Sequence, residues 1–252
     1  MKDVLSVLPI IEIMIVMVVI YSIVESILRL RSGPILGHDF QETMRAALEP
    51  KLGTGLLLEV VLTELTVLYY SIWIPFQKPT GAREGEYTSY KSSQIKTFIT
   101  VFAFIVIGEG ILLHYLIHLW SVVAAWIFTV LNIYALLYMV GLYYSVKGKP
   151  HRIEQSKLVI CNGFQSSMET EIENIESISR AIESDFRVKL PHDTYYAMLK
   201  IDSPHIEIKL KAPVLMRAAY GRNKYVKTVV FRADEFSKML EEIQSKLKDR
   251  LN

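Results

Sequence analysis

Long apolar runs fill residues 1–146, and short alternating runs fill most of residues 153–252. A helix needs about 20 apolar residues to cross the hydrocarbon core of a bilayer. Four segments meet that length: Val4–Leu28, Gly53–Ile74, Ile95–Ile117 and Val122–Val146. The first exceeds the usual apolar stretch of a signal peptide, has only Lys2 as a basic residue ahead of it, and is followed by no A-x-A site. It is therefore expected to be retained as a span. The expectation for this part is an α-helical membrane bundle of four transmembrane helices. The connection His118-Leu119-Trp120-Ser121 is so short that the last two spans must form a tight antiparallel hairpin.

After Lys147-Gly148-Lys149-Pro150 the period changes. Leu158–Cys161 followed by Asn162-Gly163 reads as a strand entering a hairpin turn. Tyr195–Ile201, His205–Leu210 and Val226–Phe231 read as further strands, the second with Ile206, Ile208 and Leu210 on one face. Ala233–Leu251 reads as an amphipathic helix with Phe236, Leu240, Ile243 and Leu247 on its apolar side. The C-terminal part, residues 153–252, is thus predicted to be an α+β domain outside the membrane.

Charge sharpens this division. Of the charged side chains, 28 are Lys or Arg and 26 are Asp or Glu, and only 20 of them fall within residues 1–146. A formal net charge of +2 argues against a nucleic-acid-binding chain, and the single cysteine, Cys161, excludes an intramolecular disulfide. With both termini in the cytoplasm, the inner flanks carry eight basic residues, among them Lys78, Lys91, Lys96 and Lys147. The outer flanks carry four: Arg29, Arg31, Arg45 and Lys51. The positive-inside rule then predicts a multi-pass protein of the cell membrane with cytoplasmic termini. Residues 29–52 lie outside in this topology. Asp39 is placed to cap a short interfacial helix ending at Pro50, with Phe40, Met44 and Leu48 on one face.

Two stretches of the C-terminal part carry a resemblance. These are Glu173-Asn174-Ile175-Glu176-Ser177-Ile178, and Val229-Val230-Phe231-Arg232-Ala233-Asp234-Glu235-Phe236 leading into the last helix. Together with several strands closed by one helix, they resemble the bacterial pleckstrin-homology-like (PH-like) domains of membrane proteins. The resemblance covers roughly residues 153–252. It implies a small β-barrel or sandwich plugged by the C-terminal helix, and a docking or regulatory module for a cytoplasmic protein partner. No catalytic residue comes with it. The residues Arg217, Arg222, Lys224 and Lys227 form a basic cluster suited either to anionic lipid headgroups or to plain solvation.

Ionisable groups inside the spans are the residues most suggestive of chemistry, because a charge at mid-membrane costs about 3 kcal/mol or more. There are seven: Glu12, Glu25, Glu59, Glu64, Glu109, His114 and His118. At about 1.5 Å rise per residue, Glu25, Glu59 and His114 fall about 6–9 Å below the outer surface, and Glu64 and Glu109 about 16 and 13 Å. His114 and His118 are four apart and share a helix face. With Glu59 or Glu25 they could form a His₂-carboxylate shell for Zn or Fe, and Glu59, Glu64 or Glu109 could act as a catalytic base. That reading makes the chain a metal-dependent enzyme acting on a lipid or lipid-linked substrate. The same groups could instead bond one another and Tyr or Ser hydroxyls as a structural polar core, or form an ion or proton path. Two function classes thus stand at this point: an integral membrane enzyme, and a non-catalytic membrane protein whose PH-like domain docks partners or the membrane surface. The oligomeric state is not encoded in any pattern found.

Overall fold

A computed structural model describes residues 40–77, 83–181 and 191–251. The expected first span, with Glu12 and Glu25, lies outside the described residues. The chain divides into two compact units, residues 1–62 and 63–252.

In the first unit, α1 (Phe40–Leu52) buries Met44 and Leu48, the face expected from their four-residue spacing. The helix runs past Pro50 rather than stopping there. It ends where Gly53 adopts a left-handed φ of +71° and donates its N–H to Glu49 O at 2.9 Å, the termination that glycine favours. Arg45 grips both carboxylate oxygens of Glu59, at 2.6 and 2.8 Å, across the turn into the next helix. This forked geometry is the strong form of an ion pair.

The helix α2 (Leu56–Leu68) begins in the first unit and continues into the second. It is extended by a π-helical turn, Tyr69–Trp73, and a 3₁₀ turn, Ile74–Phe76. Pro75 explains the change: it has no N–H to donate to Ser71, and its ring would clash with that carbonyl in an α-helix. Then come α3 (Ile95–His118) and α4 (Val122–Gly148). Ser121 caps α4 by accepting the Ala124 N–H, which makes the expected tight hairpin. The segments Leu56–Phe76, Ile95–His118 and Val122–Gly148 are long and apolar enough to cross a membrane, three spans among the described residues.

The sheet comprises β1 (Glu86–Tyr87), β2 (His151–Ile153), β3 (Lys157–Asn162), β4 (Ser166–Glu171), β5 (Ile175–Arg180), β6 (Thr194–Ala197), β7 (Ile206–Ala218) and β8 (Lys224–Phe231). Its order is β1-β2-β3-β4-β7-β8-β6, with β5 pairing the early part of β7, and it curls into a half-barrel. All pairings are antiparallel except β6 with β8. The last helix, α5 (Phe236–Leu251), lays Met239 and Ile243 into a core with Leu158, Ile160, Ile208 and Phe231. Burying such side chains contributes about 1.5–3 kcal/mol each before entropy is counted.

Three details differ from the expectation. The strand starting at Thr194 ends at Ala197, because the chain turns through Leu199 and Asp202. The strand at Ile206 runs on to Ala218, its register shifting between Lys209 and Val214 so that it serves both β5 and the tip of β8. And β1 comes from the connection between α2 and α3, so that an interhelical loop supplies part of the sheet.

Candidate functional site

Among the carboxylates of the described apolar helices, Glu64 has the richest surroundings. One turn before the π segment, it projects from α2 toward Tyr134 of α4, whose hydroxyl donates to Oε2 at 2.5 Å. The hydroxyl of Tyr220 donates to Oε1 at 3.0 Å. Tyr220 belongs to the turn between β7 and β8, and its backbone N–H also donates to Thr63 Oγ1 at 3.0 Å. A turn of the sheet therefore bonds two consecutive residues of an apolar helix. Tyr220 has φ +59°, uncommon for a residue with a Cβ, and is followed by Gly221 at φ +69°. Left-handed backbone at a tyrosine costs about 1 kcal/mol or more and persists only where contacts enforce it. Burial raises the Tyr220 phenol above its ordinary pKa; the neighbouring Tyr134 hydroxyl works against this and the bond to Glu64 adds to it, so Tyr220 stays a donor.

One helical stripe of α4 receives both α2 and the sheet: Tyr134, Tyr138, Gly141 and Ser145, spaced four, three and four. Tyr138 packs edge-on against Phe164. Gly141 lets the backbone of α2 approach, since a Cβ there would stand 2.9 Å from Val67 O. Ser145 Oγ accepts the Phe164 N–H at 3.1 Å. Gly163, with φ +53°, sits so close to Ser145 and Val146 that a side chain has no room. Two turns of the sheet thus seat on neighbouring helices, the one after β3 on α4 and the one after β7 on α2.

A second anchor holds the chain entering α3. Asp202 accepts the Ser93 hydroxyl at 2.5 Å and the Gln94 N–H at 2.8 Å, and pairs with Arg232 at 3.4 Å. Arg232 donates to Ser92 O and Oγ. Asp234 accepts the Thr88 and Ser92 hydroxyls and the N–H groups of Lys91 and Ser92. Burial alone would raise the Asp234 carboxyl. The donors from Ser92, Thr88 and Lys91 outweigh it and hold the pKa below its ordinary value. Where α4 meets β2, His151 is fully buried: its Nδ1 accepts the Cys161 N–H at 3.2 Å, which leaves Nε2–H to donate to Arg232 O at 2.8 Å. Desolvation lowers its pKa to about 4.

The remaining sequence candidates are dispersed. His114 Nδ1 lies 2.6 Å from Thr129 Oγ1 of α4, and its ring meets Trp126 edge-on. His118 stacks on His114 at 5.9 Å between ring centroids, as the four-residue spacing predicts, but is itself exposed. Glu59 is engaged by Arg45 and Glu109 is exposed on α3. Glu25 lies outside the described residues. Among the described residues, no three His, Cys, Asp or Glu side chains gather as a metal-binding group. In the basic cluster, Lys224 turns inward to donate to Thr194 O and His192 O, whereas Arg217, Arg222 and Lys227 are exposed. His205 is tied to Ala233 O. Sequence reasoning singled out Glu64 but missed Tyr134, Tyr220, Thr63 and Thr129. The Tyr134/Tyr138/Gly141/Ser145 stripe was the available signal for the first. Compared with known proteins, the chain matches no family model, no curated protein and no solved structure.

Proposed function

We propose that this chain is a non-catalytic integral membrane protein that holds a PH-like sheet domain in a fixed pose against the cytoplasmic face of the cell membrane, as a docking module. The observation that carries this reading is the bonding of Glu64. Its two carboxylate oxygens are taken by one tyrosine from a helix and one from the sheet. His114 is likewise occupied by Thr129. A carboxylate bonded in this way is a structural tie, and charge-assisted hydrogen bonds of this kind contribute about 1.5–3 kcal/mol each. With the anchors at Asp202 and Asp234, it ties the sheet to α2 from Thr63 onward and to the chain entering α3, so that whatever binds the sheet acts on those helices too.

The test is a double-mutant cycle with Glu64→Gln and Tyr220→Phe, read by thermal unfolding in detergent and by hydrogen exchange over residues 218–223. A coupling energy of about 1 kcal/mol or more, with faster exchange in each variant, supports the tie. Additive effects with unchanged exchange would remove the basis of the proposal.

A further inference from the structure

We infer that the tip of the β7–β8 hairpin enters the lipid layer and that Arg217 and Arg222 bind the phosphates of anionic phospholipid headgroups. The inference rests on the seating of Tyr220 described above and adds the ligand. Large apolar side chains are exposed from Val101 on α3 to Leu119 just past its end, and on α4 from Val122 to Val140. Eighteen residues of helix span about 27 Å, close to the roughly 30 Å hydrocarbon core. Counting back across the tight hairpin puts the inner edge of this belt on α4 near Met139. Tyr134, five residues further in, then lies roughly 8 Å inside the apolar layer. Tyr220 shares the Glu64 carboxylate with Tyr134, so the turn that carries it lies at nearly the same depth.

The residues at the turn suit that position. Ala218, Ala219 and Gly221 offer no charge to the lipid. Arg217 and Arg222 stand three and two residues from Tyr220, within about 10 Å of chain, where long stems can carry the guanidinium groups back to the headgroup level. Both are exposed, and among the described residues neither is paired with a carboxylate. Leu215 and Tyr225, cross-strand partners by register, are 37% and 68% exposed on the face that also carries Arg217. An aliphatic side chain, a tyrosine and planar cations at one level match an interfacial belt, and an arginine fork fits a phosphate better than an ammonium does. A purely aqueous surface would not call for Leu215 and Tyr225 together.

The full-length protein in nanodiscs of phosphatidylcholine alone, or with one-third phosphatidylglycerol, provides the test, read by deuterium uptake over residues 213–227. The expected result is severalfold slower uptake in the anionic discs, and loss of that difference in Arg217→Gln/Arg222→Gln. Equal uptake in both disc types, or a difference that survives in the double variant, overturns the assignment. The seating is read separately: residues 219–221 are expected to exchange slowly in neutral discs for the unaltered chain and the double variant alike. Fast exchange there in the unaltered chain would overturn the docked turn itself and the lipid site with it.

Discussion

Acidification should loosen the junction between α4 and the sheet through one residue, His151. The buried ring is held neutral, with Nδ1 accepting from Cys161 N–H and Nε2–H donating to Arg232 O. Its pKa is about 4, against 6.5 when unburied. The folded state therefore binds fewer protons than the unfolded state between those values. The stabilisation is fully present above about pH 6.5 and is lost as pH falls toward 4. A shift of that size corresponds to about 3 kcal/mol, and by pH 4.5 most of it is gone, equivalent to roughly a 50-fold rise in the open population. Cys161 is the only cysteine, is buried, and is the residue whose amide His151 accepts, so it reports that opening directly. Its labelling by a disulfide reagent active in acid, under conditions where reclosing outpaces labelling, tracks the open population. The rate corrected for intrinsic thiol reactivity should climb tens-fold from pH 7 to 4.5, and His151→Gln should flatten most of the climb. A profile equally steep in the variant would refute the role given to His151.

Other perturbations act on separate features. Asp202→Ala leaves Arg232 buried without its carboxylate; with the two side chains only 1% and 7% exposed, the loss should be about 3–5 kcal/mol in thermal unfolding. Gly163→Ala meets both a left-handed φ of +53° and the atoms of Ser145 and Val146, so it should lower stability by more than about 1 kcal/mol and speed exchange at Phe164. Gly141→Ala puts a Cβ 2.9 Å from Val67 O and should cost about 1–3 kcal/mol in unfolding, with faster exchange across Tyr69–Trp73.

The sequence made the helices legible because length and apolarity alone decide them: α3 and α4 begin at the expected residues and run one or two further at their ends. The β3–β4 hairpin was equally legible from Asn162-Gly163. What escaped was long-range. Nothing local in Glu86-Tyr87 marks a strand, since its partner His151-Arg152 lies beyond two helices. The sheet-edge strand at Thr194 was overextended because aromatic and β-branched content continues past the point where tertiary bonds turn the chain. The depth of Glu64 along its helix says nothing of its partners, which lie on α4 and on a sheet turn. A hydrogen bond between residues 156 apart leaves no periodic trace in either segment.

The most direct measurement of the central claim is cross-linking of that contact. In a Cys161→Ser background, Thr63→Cys and Tyr220→Cys occupy positions whose unaltered side chain and backbone lie 3.0 Å apart. Mild oxidation in native membranes, or a short bis-thiol reagent, should join them in most molecules before denaturation and in few after it. Absence of the cross-link in folded protein, with each cysteine singly accessible to labelling, would contradict the seating of the sheet on the apolar helices.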